Sequence, residues 1–126
     1  MTAFLFSLLV SLVFGTTEEL VEVRVGGTVP LPGTSVTVTF VRVRDDSRCP
    51  TGVTCVWEGD AVVELRVQNR AEERTLELHV NPRFTRQASA LGVTIDLERL
   101  DPYPGADKPI APKAYRLTLN IAKNQD

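Results

Sequence analysis

Apolar and polar residues alternate along most of this chain, and a period of two is the feature that most constrains its fold. The alternating runs, all of strand length, are 20–25, 34–44, 61–68, 74–80, 93–97 and 115–121. Because successive side chains of a β-strand face opposite sides of a sheet, each run predicts a strand with one apolar face. A short piece at 28–31 is a seventh candidate. We therefore predict an all-β protein, an antiparallel β-sandwich or small barrel of six to seven strands.

Local signals refine this prediction. In the run 34–44 the apolar phase slips by one residue after Phe40, which is typical of a β-bulge. Pro30 cannot donate a ladder hydrogen bond, so the piece around it suits a sheet edge. We expect a loop or short helical turn at 84–90 and a loop at 100–112, which contains four prolines.

Composition and charge narrow the class of protein. At 126 residues, with 43% hydrophobic and 24% charged residues, the chain has the size and make-up of one globular domain. The net charge is -2, whereas nucleic-acid binders usually carry a basic excess or patch. The alternation of Arg42, Arg44 and Arg48 is diluted by Asp45 and Asp46. We therefore expect no nucleic-acid partner.

The amino terminus is apolar, and its first fourteen residues carry no charge. This run is shorter than the about 20 residues that span a bilayer, and it resembles the hydrophobic region of a signal peptide. We predict a signal peptide at 1–15, a single domain at 16–126 and no transmembrane segment in the mature chain. The run lacks the usual basic residue, which suggests a start further upstream, and a buried strand is the alternative. The expected location is secreted, periplasmic or cell envelope.

The two cysteines, Cys49 and Cys55, are separated by five residues. Disulfides persist in oxidising compartments, so a pair here agrees with export. A ring this short would contribute about 2 kcal/mol, mainly by fixing the shape of one loop. Zinc is the competing interpretation, but these cysteines with His79 do not have the spacing of a zinc site. We predict a structural disulfide and no cofactor.

The segment 46–61 reads DSRCPTGVTCVWEGDA. It resembles a motif of small uncharacterised secreted or lipoprotein β domains of bacteria, in which a similar Asp-Ser-Arg-Cys-Pro precedes Cys-Val-Trp. The run LDPYP at 100–104 and a terminal strand led by Tyr115 are similar to the same family. This chain departs from the family in lacking a lipid-attachment cysteine and in carrying Glu58 after the tryptophan. The resemblance implies an envelope or extracellular domain and no particular activity.

The cysteine loop is the best candidate binding site, because rigid loops with arginine and aromatic residues often make binding hot spots. The candidate residues, drawn from this loop and the proline-rich loop, are Asp46, Arg48, Trp57, Glu58 and Tyr103. A purely structural interpretation is also open. In it, Trp57 packs over the disulfide and Asp46 bonds to Arg48 or to loop amides.

Metal binding and catalysis have weaker signals. Acidic residues flank the same loop, at Asp45, Asp46, Glu58 and Asp60, but without the spacing of a calcium loop. His79 is expected on a solvent-facing strand surface beside Glu77, with no catalytic serine or cysteine nearby. We predict no catalytic residues and no metal site.

The sequence therefore favours a non-catalytic binding or structural module, with an envelope or extracellular protein or a glycan as partner. One alternative is a protease inhibitor that presents Arg48 or the Cys49–Cys55 loop to a trypsin-like enzyme. Another is a secreted hydrolase that depends on carboxylates.

Overall fold

A computed structural model describes residues 18–124. The predicted signal peptide at 1–15 lies outside them. The strands are β1 (Glu18–Arg24), β2 (Thr28–Pro30), β3 (Thr37–Asp46), β4 (Ala61–Gln68), β5 (Glu73–His79), β6 (Gln87–Ala90), β7 (Val93–Asp101) and β8 (Arg116–Lys123). The helical structure in this part of the chain is a single turn of 3-10 helix, Pro112–Ala114.

The strands form two four-stranded antiparallel sheets, in the orders β1-β8-β7-β6 and β2-β3-β4-β5. One apolar face of each sheet is buried, as the alternating pattern predicts. The largest buried side chains come from both sheets and include Phe40, Leu65, Leu78, Ile95, Leu97, Leu117, Leu119 and Ile121. The prediction of an antiparallel β-sandwich is confirmed.

Two details of the predicted strands are confirmed. The register of β3 against β4 shifts between Phe40 and Arg42, where the apolar phase slips in the sequence. A second shift lies between Val43 and Asp45. β2 is an edge strand and ends at Pro30, in agreement with the ladder hydrogen bond that proline cannot donate.

The expectation for residues 84–90 is wrong at its end, because Gln87–Ala90 forms β6 and pairs with β7. This strand has only two small apolar residues, Ala88 and Ala90, so its alternation is faint in the sequence. The loop expected from residue 100 also begins later. β7 continues to Asp101 through an irregularity between Leu97 and Arg99, which returns Leu100 to the core.

Three long connections lie at one end of the sandwich. We call them the disulfide loop (47–60, between β3 and β4), the 80–86 loop (between β5 and β6) and the proline loop (102–115, between β7 and β8). Together they form what we call the loop end. In residues 18–124 no helix is long and apolar enough to cross a membrane.

Candidate functional site

The disulfide loop has a closed stem. The amide of Ser47 donates to the carbonyl of Asp60 (2.6 Å), and the amide of Cys49 donates to the carbonyl of Glu58 (2.9 Å). Above this stem Cys49 and Cys55 are joined in a disulfide, as predicted, with their Cα atoms 6.0 Å apart. The loop is therefore restrained both at its base and across its tip.

Arg48 lies at the base of the loop and is buried, with its side chain 2% exposed. Its Nε and Nη2 donate to the two carboxylate oxygens of Asp46, each at 2.8 Å. Its Nη1 donates to the carbonyl of Leu100 (2.7 Å) and Nη2 donates to that of Pro102 (3.0 Å). Four of the five N–H groups of the guanidinium are thus satisfied within the protein. Arg48 joins the disulfide loop to the end of β7.

Tyr115 completes this buried group by donating its hydroxyl to Asp46 Oδ2 at 2.8 Å. Burial disfavours the ionised form of Asp46. Hydrogen bonds from Arg48 and Tyr115, and the charge of Arg48, outweigh this effect and lower the pKa of the carboxyl below its ordinary value. Burial, then the hydrogen bond to Asp46 and its negative charge, raise the pKa of Tyr115 to about 12. Asp46 is therefore a buried carboxylate that already has four hydrogen-bond donors.

The proline loop is held against the disulfide loop. The amide of Thr51 donates to the carbonyl of Pro104 (3.0 Å), and Thr51 forms an isolated parallel bridge with Gly105. The guanidinium of Arg48 lies 4.9 Å from the centroid of the Tyr103 ring, in cation–π contact. Tyr103 is thereby positioned at the surface, half exposed, beside the base of the disulfide loop.

A second set of hydrogen-bonded polar residues holds the end of the disulfide loop that leads into β4. Asp60 Oδ2 lies 2.6 Å from His79 Nδ1, and Asp60 Oδ1 accepts a hydrogen bond from the amide of Asn81 (2.9 Å). The side chain of Asn81 donates to the carbonyl of Gly59 (2.8 Å). Gly59 has φ +74° and lies so close to Ser47 that no side chain would fit. These contacts join the disulfide loop to the 80–86 loop.

His79 lies in a different environment from the one that the sequence suggests. It alternates with Leu78 as expected, but its ring bonds to Asp60 and lies against Phe84, with 5.2 Å between ring centroids. Asp60 is distant in sequence, so strand periodicity could not identify this partner. Within residues 18–124 the side-chain hydrogen bond of His79 goes to Asp60, and none goes to a hydroxyl or thiol group.

The outer surface of the loop end carries several exposed apolar side chains. The ring of Trp57 meets that of Phe84 edge to face, at 6.3 Å and 84°, and each side chain is 47% exposed. We call Trp57, Phe84 and His79 the aromatic cluster. Residues 18–124 contain six exposed large hydrophobic side chains, and five of them belong to these three loops. The six are Leu20, Val53, Val56, Trp57, Phe84 and Tyr103.

Two depressions flank this surface. A pocket of about 170 Å³, which we call the Glu58 pocket, is lined by Arg48, Glu58, Gly59, Val80, Asn81, Pro82 and Tyr103. A larger cleft of about 520 Å³ lies under the proline loop, with Asp46 and Tyr115 among its lining residues. Those two groups bond to each other, and Asp46 also accepts hydrogen bonds from Arg48, so they have little free capacity for a ligand.

The structure brings the five predicted binding residues to one end of the molecule and divides them by exposure. Trp57, Glu58 and Tyr103 are exposed, whereas Arg48 is buried and Asp46 nearly so. Asp46 and Arg48 bond to each other, as the structural interpretation of this pair supposed. Trp57 packs on Phe84, a partner that the sequence did not indicate.

Some of the remaining charged residues form ion pairs on the sheet surfaces. Arg42 pairs with Glu64 at 3.4 Å and Arg44 pairs with Glu77, on the outer face of β3, β4 and β5. Within 18–124, no group of three or more histidine, cysteine, aspartate or glutamate side chains converges as a metal site would require. The acidic residues flanking the disulfide loop are separated by their own hydrogen bonds, Asp46 to Arg48 and Asp60 to His79.

Neither the family models, nor the curated proteins, nor the solved structures that were compared with this chain give a match. The resemblance of the segment 46–61 to bacterial envelope domains therefore stays a prediction.

Proposed function

We propose that this protein is a non-catalytic binding module whose loop end engages a protein partner. The observation that supports this most strongly is the concentration of exposed apolar side chains there, at Val53, Val56, Trp57, Phe84 and Tyr103. Singly scattered exposed apolar residues are ordinary, but several of them gathered at one end of a domain are typical of an interaction site.

The patch has the composition of an interface core. Aromatic residues are enriched in such cores, and truncation of a few of them usually removes most of the binding energy. Trp57 and Phe84 support each other, and Glu58 and Arg83 provide a charged rim beside them. The disulfide and the buried Arg48 restrain the loop before binding, which lowers the entropic cost of association.

The arrangement favours a protein over a glycan. The rings of Trp57 and Phe84 are nearly perpendicular, so they do not form a flat platform on which a sugar ring would stack. Val56 is fully exposed next to Trp57 and adds an aliphatic projection. A partner with an apolar depression would cover both side chains.

The alternative functions have less support. The guanidinium of Arg48 is buried under four hydrogen bonds, so it cannot reach the specificity pocket of a trypsin-like protease while the loop is folded. An inhibitor that presents other parts of the disulfide loop stays a prediction. A carboxylate-dependent hydrolase also stays a prediction, and Asp46 and Asp60 are both engaged in structural hydrogen bonds.

The location that we propose is outside the cytoplasm. The Cys49–Cys55 disulfide supports an oxidising compartment, because such bonds are rare in the reducing cytosol. The apolar start of the sequence agrees with export through a signal peptide. A secreted, periplasmic or envelope location would expose the loop end to partner proteins.

Selection from a displayed peptide library tests the proposed site without knowledge of the natural partner. Binders would be selected on residues 16–126 and their affinities measured on single variants. We expect most of them to lose about thirtyfold or more in affinity on Trp57→Ala and on Phe84→Ala, since truncation of an aromatic hot-spot residue costs about 2 kcal/mol or more.

Leu20→Ala is the matched control, because Leu20 is exposed and apolar but lies on β1, outside the three loops. It should leave these affinities unchanged. Thermal unfolding of each variant would verify that the sandwich stays folded. Binders that are indifferent to Trp57→Ala and Phe84→Ala, or that depend on Leu20, would contradict the proposed site.

A further inference from the structure

We infer that the Glu58 pocket receives a lysine side chain of the partner protein, an inference that rests on the proposed function. The pocket lies beside the exposed apolar patch, since Glu58 and Tyr103 line it and Trp57 immediately precedes Glu58. A side chain that enters it would project from the same surface that covers the aromatic cluster.

The size of the pocket favours a single side chain. Its volume of about 170 Å³ is below the range of about 300–1,000 Å³ that is usual for small-molecule sites. Its walls include Val80, Pro82 and the ring of Tyr103, which suit an aliphatic stem. An unbranched chain of methylene groups would bury apolar area there while its polar end stays near the solvent.

The polar groups of the Glu58 pocket determine which charge is favourable at the tip of the side chain that enters it. Glu58 has a carboxylate that is 60% exposed, and its ion-pair contact, with Arg83, is long at 3.9 Å. Arg83 is itself 75% exposed, so this contact is weak and easily exchanged. A lysine ammonium would give Glu58 a closer partner.

The arginine in the pocket does not make it an anion site. Four N–H groups of Arg48 already donate to Asp46, Leu100 and Pro102, and the charge of Asp46 balances that of Arg48. An acidic side chain would meet a neutralised guanidinium and the negative charge of Glu58. A basic side chain would meet the same neutralised guanidinium but would be attracted by Glu58, so the charge of Glu58 favours a cation.

The test is a titration followed by ¹⁵N–¹H correlation spectra of the folded chain. The probes are three capped tripeptides, acetyl-Gly-Xaa-Gly-amide, in which Xaa is lysine, norleucine or glutamate. The lysine peptide should shift the amide signals of Gly59 and Asn81 in a saturable manner, with a dissociation constant in the millimolar range. The norleucine peptide should bind about threefold to fivefold more weakly, as expected for loss of an exposed ion pair, and the glutamate peptide should bind most weakly.

Glu58→Gln should remove the preference for lysine over norleucine. Arg83→Gln is the matched control, because it removes the positive partner of the same ion pair. It should leave lysine binding intact or tighten it, since Arg83 no longer competes with lysine for Glu58. Equal binding of lysine and norleucine, a preference for glutamate, or no shift at Gly59 and Asn81 would each overturn the inference.

The outcomes separate this inference from the proposed function. If library binders depend on Trp57 and Phe84 but carry no basic residue and ignore Glu58→Gln, the binding surface stands and the lysine pocket fails. If the tripeptides bind as expected but library binders map elsewhere, the pocket stands as a site while the proposed docking surface fails.

Discussion

At the scale of single residues, Arg48 is the best example of a side chain whose role depends on burial. Arg48→Met would leave the buried carboxylate of Asp46 without its cation and remove both carbonyl contacts to β7 and Pro102. We expect the free energy of unfolding to fall by about 3–5 kcal/mol, the usual cost of breaking a buried ion pair. Urea denaturation at neutral pH measures this loss.

Arg44→Met is the control for that measurement, since Arg44 pairs with Glu77 on the exposed face of the sheet. It should change the stability by no more than about 1 kcal/mol. Equal losses of stability for Arg48→Met and Arg44→Met would contradict the claim that the hydrogen-bonded group around Asp46 stabilises the fold.

The raised pKa of Tyr115 predicts that the stability of the protein depends on pH in the alkaline range. The pKa of Tyr115 is raised from 10.0 to about 12 in the folded protein, so between these values the folded state holds the phenolic proton that the unfolded chain releases. The free energy of unfolding therefore falls as pH rises through this interval. Tyr115→Phe removes both the hydrogen bond to Asp46 and this titration.

The variant should be less stable than wild type by about 1.5–3 kcal/mol near neutral pH, the range for a hydrogen bond to a charged group. The difference should shrink as pH rises from about 10 toward 12. Chemical denaturation of both proteins over this range is the measurement. A difference that stays constant with pH would contradict the effect of burial and of Asp46 on Tyr115.

Alanine substitutions at two glycines of the disulfide loop compare the stability cost of a left-handed backbone alone with the cost of the same backbone plus a steric clash. Gly52 (φ +80°) and Gly59 (φ +74°) both have left-handed backbones, but a Cβ at Gly52 meets nothing within 4 Å. A Cβ at Gly59 would lie 1.9 Å from the carbonyl oxygen of Ser47. Gly52→Ala should cost about 1–2 kcal/mol, and Gly59→Ala about 4 kcal/mol or more. Similar thermal stabilities of the two variants would show that Ser47 moves away at little cost.

The sequence identified candidate residues of the loop end, but it did not show which of them are buried and which are exposed. Arg48 and Trp57 flank the same short loop and were both candidate binding residues, but Arg48 is buried and Trp57 is half exposed. The carbonyls of Leu100 and Pro102, which converge on the buried Arg48, come from a distant strand and loop. No local pattern carries that information.

At the scale of elements, the disulfide loop is anchored on both sides by polar groups, and the disulfide acts on its tip. Replacement of both cysteines by serine should lower the free energy of unfolding by about 2 kcal/mol, as estimated for so short a ring. Amide hydrogen exchange should quicken at 49–57 and remain slow in β4 and β8. Complete unfolding, or unchanged exchange in the loop, would contradict a local role for the bond.

The strands also show where the alternation of apolar and polar residues predicts structure and where it does not. The bulge after Phe40 was predictable, since a slip of one residue moves every later side chain to the other face of the sheet. β6 was not predictable, because Ala88 and Ala90 provide little apolar contrast. Its Leu91-Gly92 turn uses φ +52° at a leucine, a conformation that sequence does not suggest for that residue.

At the scale of the whole molecule, the sandwich gathers five of the six exposed large hydrophobic side chains of residues 18–124 at the loop end, where we propose that the partner binds. Its four edge strands are poorly suited to strand addition. β2 and β6 are short, whereas β1 and β5 carry charged side chains, Glu18, Glu19 and Glu22 on β1 and Glu73, Arg74 and Glu77 on β5. The outer face of β3, β4 and β5 is covered by ion pairs. The fold class followed from the alternation, whereas the proposed binding surface combines three loops that are distant in sequence and could not be predicted to meet.

Site-specific photo-crosslinking in the organism that makes this protein tests the central claim most directly. A photoreactive p-benzoylphenylalanine would replace Phe84 in one variant and Leu20 in another, as both positions are exposed but only Phe84 lies at the loop end. We expect a discrete protein adduct after irradiation at position 84, and none at position 20. Adducts at position 20 alone, equal labelling at both positions, or no adduct at position 84 would contradict the view that this protein binds its partner through the loop end.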